Sequence, residues 1–542
     1  MNPSRQLVVW SGAMLVLGSA PADPYPRNAD LDVIDYRYQL ALSDSSDQIR
    51  MEATIAFRFL AAGRTRLALD LVGRGDSGRG MVVGQVADSA GPLTFTHRAN
   101  RLEIALRRPG RSGERSRVSI AYHGVPAAAL KIGPNKSGDR TFSSDNWPDL
   151  ARHWLVGVDH PYDKATSEFI VTAPAHYQVV SNGLLVEQTD LASGFRRTHW
   201  RQSVPIATWL QTLGVARYAI EHSGTVDGTP IQAWAYPADR ERAFADFGGP
   251  TKAALRFYNE WVGPYAYEKL ANVESVAAGG GMEAATAIGY TERLIGTARV
   301  REVVVHEIAH QWFGNAVTES DWNDVWLSEG FATYFTLLFT EHDAGRDAFV
   351  EGLLKSRATV LDYDAKHPGY QVVHANLTDM SEVTSSQTYQ KGAWTLHMLR
   401  GLVGTDTFWR GIREYYREYR NANATTEDFR RVMEAASGKD LDWFFRQWLT
   451  RSGAPKLEGG WRYDAGAKRI EINLSQTQDG EPFRVPLEIG IRFPGESGIR
   501  TERVEITGGQ ARFAFDSPRE PASVTLDPNL WVLMEAKFDR RP

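Results

Sequence analysis

His306-Glu307-Ile308-Ala309-His310 sets two imidazoles four positions apart, with a carboxylate directly after the first. On a helix, residues i and i+4 lie on one face about a turn apart, so both rings can offer a nitrogen to one tetrahedral ion. Farther along, Glu329 in Trp326-Leu327-Ser328-Glu329-Gly330-Phe331-Ala332 stands at the separation that a helix, a loop and a second helix need to return an oxygen ligand. Two His and one Glu leave a fourth position open for water, the ligand set of a catalytic zinc site, whereas a structural site is closed by a fourth protein ligand. The expected cofactor is one Zn2+ per chain on His306, His310 and Glu329. Glu307, beside the first ligand, can reach that water and carry its proton.

A helix must hold the two histidines. Val303 to Val305, Ile308, Ala309, Trp312 and Phe313 supply apolar surface to bury one, and Gly314-Asn315 suits its end. Helical signals dominate from Glu221 to Leu449, at Ala253 to Trp261, Val303 to Phe313, Gly330 to Glu341, Gly392 to Leu402 and Phe429 to Ala436. Thr425 or Thr426 suits a helix cap ahead of the acidic Glu427 and Asp428. From Leu31 to Tyr218, short alternating runs such as Tyr36, Tyr38, Leu40 and Leu42 are broken by Gly, Asp, Ser and Pro clusters and read as strands. Period two returns after Gly453-Ala454-Pro455, at Ile470, Ile472 and Leu474 and again at Leu487, Ile489, Ile491 and Phe493. That pattern predicts a small β-sandwich. No fixed-period repeat points to a solenoid or propeller.

With 542 residues the chain exceeds a single core. Its 42% hydrophobic and 23% charged residues are those of a soluble globular protein. The formal net charge of −5 is small, and no basic stripe interleaves with aromatics, so nothing points to nucleic acid. The absence of cysteine excludes a disulfide framework, a thiolate metal site and a cysteine nucleophile together. Residues 1–22 carry Arg5, then an apolar run from Leu7 to Leu17, then small residues ending in Ala20-Pro21-Ala22. This is the grammar of an export leader, too short for a membrane span. An exported protein is expected, periplasmic or secreted if bacterial, with a mature start near Asp23.

The zinc pattern, with its surroundings, resembles the aminopeptidase N family of zinc metallopeptidases, which includes leukotriene A4 hydrolase. The stretches His306 to Asn315 and Trp326 to Tyr334 read like that family's zinc helices. Gly280-Gly281-Met282-Glu283 resembles the first four positions of its GxMEN exopeptidase loop, and Tyr389 in Tyr389-Gln390-Lys391-Gly392 matches its catalytic tyrosine. Fainter echoes run from Asp159-His160-Pro161 through Lys164-Ala165-Thr166 to Val180-Ser181-Asn182-Gly183, and over Trp443 to Gly453, so similarity covers most of residues 31–455. The resemblance implies that Tyr389 stabilises an oxyanion and that Glu283 pairs with a substrate α-ammonium. Gly280, Gly281 and Met282 are counted with Glu283 in the substrate-binding loop; the glycines Gly279 to Gly281 either form a flexible turn or let a substrate backbone come close enough to pair with an edge strand, the reading adopted beside Glu283. Ala284 departs from the Asn usual at that position, which puts the loop's geometry in question.

The resulting expectation is a multidomain α+β zinc aminopeptidase acting on peptides with a free N-terminus. Its units are a leader at 1–22, a saddle-like β domain at 23–220, a thermolysin-like, mostly helical catalytic domain at 221–455 and a β-sandwich at 456–542. The helical fourth domain of larger relatives has no counterpart in this expectation. An endopeptidase or epoxide hydrolase of the same zinc architecture, or a peptide-binding relative without catalysis, stays open as the alternative.

Overall fold

A computed structural model describes residues 24–375 and 377–541; the expected leader at 1–22 lies outside them. Strands Leu31–Ser43 and Ser46–Phe59 pair antiparallel, with Tyr36 opposite Ile55, Tyr38 opposite Ala53 and Leu40 opposite Met51, all buried on one face. This is the alternation read from the sequence, because successive side chains of a strand point to opposite faces. The sheet grows to eight strands, with Ala165–Pro174 parallel to Leu31–Ser43 at its centre. A four-stranded and a three-stranded sheet complete this N-terminal unit.

A five-stranded sheet follows, in the order Ala219–Val226, Thr229–Ala235, Leu270–Ser275, Ala287–Thr291, Gly281–Met282. It adds a sheet to the start of the mostly helical unit expected at 221–455. Strand Ala219–Val226 also crosses the expected boundary at 220, since it is tied as a hairpin to Thr229–Ala235. The sheet is buried on both faces: Trp234, Tyr236 and Val273 join the N-terminal core, while Ile231, Ala233, Ala235 and Ile288 join the helical one. Gly281–Met282 is its edge strand.

Among the described residues the helices are α1 Arg240–Trp261, α2 Val300–His310, α3 Trp326–Ala344, α4 Arg346–Lys366, α5 Gly392–Val403, α6 Thr405–Tyr419, α7 Thr426–Ser437 and α8 Asp442–Leu449. α1 begins well before the predicted Ala253 and carries Gly248, Gly249 and Pro250 inside it, residues that weaken a helical signal. α2 starts at Val300, nearly two turns before His306, and Gly314 at φ +109° turns the chain away behind it. Thr425 caps α7 in a reciprocal box with Asp428. α4, α6 and α8 were not among the predicted helices. α4 buries only Phe349, Leu353, Ser356 and Val360 over its whole length, a thin apolar signal.

Behind residue 455, strands Gln510–Asp516, Arg469–Gln476, Lys456–Asp464 and Glu535–Arg540 form one sheet, and Arg500–Ile506, Val485–Arg492 and Ser523–Leu526 another. Ile470, Ile472, Leu474, Leu487, Ile489 and Ile491 are buried and continue the core of the helical unit. No helix among the described residues is long and apolar enough to cross a membrane.

Candidate metal centre

α2 is buried almost all round by Val304, Val305, Ile308 and Ala309, which leaves the face bearing His306 and His310 turned toward α3. Glu329 stands in the first turn of α3. His306 Nε2 and His310 Nε2 lie 3.1 Å apart, and Glu329 Oε2 is 3.5 Å from the first and 3.2 Å from the second. Ligands about 2.0–2.1 Å from a tetrahedral zinc stand about 3.3 Å from one another. The three atoms therefore outline one face of such a tetrahedron. Glu329 Oε2 is buried without a hydrogen-bond partner, as an atom waiting for a cation would be.

The partner that orients a ligand imidazole, which the sequence did not name, is visible for His310. Its Nδ1 lies 3.2 Å from the Phe313 carbonyl and 3.1 Å from Ser328 Oγ. A proton on Nδ1 donated to that carbonyl leaves the Nε2 lone pair free for the metal. Gly314 is required beside them, since a Cβ there would fall 2.2 Å from Ser328 Oγ.

Tyr389 lies in a π-helical turn, Gln387–Lys391, just ahead of α5. Its hydroxyl donates to Glu329 Oε1 at 2.9 Å. Two glycines allow this approach: a Cβ on Gly330 would come within 3.0 Å of Gly392 Cα and 3.2 Å of the Thr388 carbonyl, so α3 and the π-turn meet backbone to backbone.

On the opposite wall the edge strand brings Gly281 against Glu307, and Met282 pairs with Gly289. Glu283 follows, buried, with Oε1 unpartnered and its carboxylate within 4.8 Å of ligand atoms of Glu307 and His310. The loop is held firmly although Ala284 cannot contribute an amide. Gln311 and Asn315, just past α2, donate to the Glu283 carbonyl at 2.9 and 2.6 Å. Asn182 of the N-terminal unit donates to the Ala285 carbonyl at 2.6 Å, and Lys164 donates to the carbonyls of Asn315 and Ala316 at 2.9 and 3.1 Å. The fainter echoes around Lys164 and Asn182 are thus the clamps that fix the N-terminal unit to the site.

Charge is out of balance in this pocket. Burial and the nearby Glu283 push Glu307 well above the usual carboxylate range. Burial raises Glu283 to about 7, with His310 lowering it and Glu329 raising it. Burial opposes the charge of Glu329, yet His310 and His306 hold it down to about 2. Burial likewise opposes a charged His310, and Glu283 and Glu329 outweigh it, raising the imidazole to about 10. Burial lowers His306. Tyr389 is raised well above its ordinary value by burial and then by Glu329. Asp145, which the sequence reading passed over, adds its negative field to Glu283 and Glu307 and is itself raised by burial to about 6. Only the polar Asp145-Asn146-Trp147-Pro148 turn marked it in the sequence. Three carboxylates facing two imidazoles make a pocket that a divalent cation would neutralise.

Such a fold and ligand set define a protein built around one open, mononuclear metal centre. Known families agree. The peptidase M1 N-terminal domain matches residues 84–210 and the peptidase family M1 domain matches residues 249–448. Glutamyl aminopeptidase of Rattus norvegicus is 27% identical over 405 residues, 72% of this chain and 42% of that protein. The chain thus spans about two fifths of the length of this curated relative. The crystal structure of an M1 zinc metallopeptidase from Deinococcus radiodurans superposes with a TM-score of 0.67 at 25% identity, covering 79% of this chain and 95% of that one. Legionella pneumophila aminopeptidase A, solved with aspartic acid, shares the fold with a TM-score of 0.81 at 20% identity, over 94% of this chain and 60% of that one. The chain belongs to the M1 family of zinc metallopeptidases. Zinc is its cofactor, and His306, His310 and Glu329 have the geometry to hold it.

Proposed function

We propose that the protein is an aminopeptidase, hydrolysing the first peptide bond of peptides that carry a free N-terminus. The observation that carries this reading is Glu283, a buried carboxylate with an unpartnered oxygen set immediately beside the metal ligands. A carboxylate there gives an α-ammonium its counter-ion one residue from the reacting carbonyl, and leaves a blocked amine with none. Buried charge needs such a partner.

Zinc, when bound, supplies Lewis acidity: it makes water acidic enough to serve as a nucleophile near neutral pH and polarises a carbonyl. Glu307 is the proton carrier. Its raised affinity for a proton suits it to take one from the attacking water and hand it to the leaving amine. Tyr389 keeps its hydroxyl protonated and can turn from Glu329 to donate to an oxyanion. The edge strand Gly281–Met282 offers backbone groups along which an extended substrate can lie. The two C-terminal sheets are read as a β-sandwich bracing the helical unit, and the leader as directing export.

Hydrolysis of alanyl-p-nitroanilide and of its N-acetyl counterpart, with and without a chelator, tests the reading. Chelator-sensitive turnover of the free amine alone is expected. Equal turnover of the blocked substrate would assign the site to endopeptidase chemistry instead.

A further inference from the structure

The turn that follows Glu283 is built at odds with one of its residues. Ala284, Ala285, Thr286 and Ala287 form a β-turn in which the Ala287 amide donates to the Ala284 carbonyl at 3.3 Å. Its third residue, Thr286, stands at φ +65°, in the left-handed region. That turn position calls for glycine or asparagine, and a β-branched side chain there is strained. Strain of this kind persists only where the surroundings over-determine it, and it gathers where function needs a fixed geometry.

Here the surroundings engage the amide, the carbonyl and the hydroxyl of Thr286 together. The amide donates to Gln311 Oε1 at 3.1 Å, and the carbonyl accepts from the Ala271 amide at 2.9 Å and from Lys269 Nζ at 3.1 Å. The hydroxyl oxygen accepts from the Gly183 amide at 2.7 Å and from Lys269 Nζ at 3.2 Å. Lys269, just ahead of strand Leu270–Ser275, is fully buried, and its third bond goes to the Ser181 carbonyl at 2.9 Å. An ammonium has three donors, so this one is saturated and fixed, all on uncharged oxygens. Burying a charge is costly, and the fold accepts that cost at this turn. Ser181, Asn182 and Gly183 of the N-terminal unit thus grip the turn in succession: through Lys269, at the Ala285 carbonyl and at the Thr286 hydroxyl. Gln311 joins the two ends, since it also donates to the Glu283 carbonyl. Ahead of Glu283 lies only the two-residue edge strand Gly281–Met282, so the turn behind it sets the direction of its carboxylate.

We infer that Thr286 and Lys269 are positioning residues for Glu283: the Thr286 hydroxyl, held between the Gly183 amide and the Lys269 ammonium, locks the turn and so aims the carboxylate at a substrate's α-ammonium. The inference rests on the aminopeptidase reading. Glycine at 286 would relieve the backbone strain and keep the bonds of the amide and carbonyl, yet lose the lock. Serine would keep it.

The test compares zinc-loaded parent, Thr286→Gly, Thr286→Ser and Lys269→Met on alanyl-p-nitroanilide, with hydrogen exchange of residues 282–287 followed by mass spectrometry. Thr286→Gly is expected to raise KM about tenfold, the worth of about one buried hydrogen bond, while kcat stays within about threefold of the parent. Thr286→Ser should keep the parent's KM, and Lys269→Met should lose at least as much as the glycine variant. Exchange across 282–287 should quicken in Thr286→Gly and stay at the parent's rate in Thr286→Ser. If Lys269→Met does not fold, the glycine and serine pair carries the decision. Parent-like KM and exchange in Thr286→Gly would overturn the inference and leave the aminopeptidase reading intact. A fall in kcat with KM unchanged would overturn it too, as general damage to the site. If the parent is inert toward the nitroanilide, the aminopeptidase reading fails separately, and exchange decides whether the hydroxyl holds the Glu283 loop, equal rates in parent and Thr286→Gly overturning it.

Discussion

Replacing Gly281 with alanine would set a Cβ 2.0 Å from Glu307 Oε1, 2.3 Å from its Cδ and 2.4 Å from its Cγ. Ordinary contact begins near 3.4 Å, and every close atom belongs to the same carboxylate arm, so Glu307 must yield. Gly281 is not in the left-handed region, so alanine adds no backbone strain there. A catalytic group displaced by about 1 Å loses about 10²-fold in rate, or about 2.7 kcal/mol of barrier. The expected Gly281→Ala protein therefore keeps its zinc, because no ligand is touched, while kcat on alanyl-p-nitroanilide drops by about two orders of magnitude. Gly280→Ala, whose Cβ would meet nothing within 4 Å, should cost far less. Steady-state kinetics with metal analysis by mass spectrometry decide the matter. Activity within a few-fold of the parent would refute the placement of Glu307 against the edge strand, and loss of zinc would refute its separation from the ligand set.

Glu307→Ala should bind zinc with unchanged stoichiometry yet show no turnover above background, since all three ligands remain; metal loss would mean that the roles are misassigned. Ser328→Ala removes a neighbour of His310 Nδ1 and should weaken zinc about 10- to 100-fold in competition with a chromophoric chelator. Unaltered affinity would leave the Phe313 carbonyl as the sufficient partner. Asp163 is buried with Oδ1 unpartnered, and burial raises it from 3.8 to about 8. The folded state keeps this proton up to about pH 8 while the unfolded chain loses it above 3.8, so the group's contribution to stability falls as pH rises through that window. Asp163→Asn should therefore gain stability relative to the parent from pH 5 to pH 8, by at most about 1.4 kcal/mol per pH unit; parallel melting curves across that range would contradict the buried proton.

Much of the site was legible because it depends on local spacing. His306 and His310 share a helix face by the geometry of one turn, and Glu329 opens the next long helix with its own apolar stripe to bury it. The strands around Tyr36 to Leu42 and Ile470 to Leu474 declared themselves by alternation, a property of each strand alone. The sheet within the catalytic unit was less visible, since burial on both faces erases alternation. α4 escaped notice because it buries so few apolar side chains, although it carries Lys355 and Ser356 into the cavity wall.

What the sequence by itself determined was the ligand chemistry: which side chains could hold zinc, which carboxylate could carry a proton, and which family pattern they resemble. Tertiary structure decided the contacts that no spacing encodes. It set Tyr389 on Glu329 through the meeting of Gly330 and Gly392, pressed Gly281 against Glu307, and tied the Glu283 loop to Gln311, Asn315 and Asn182 despite Ala284. These pairs join residues from separate elements, some more than a hundred positions apart, and only the packing of those elements brings them within reach.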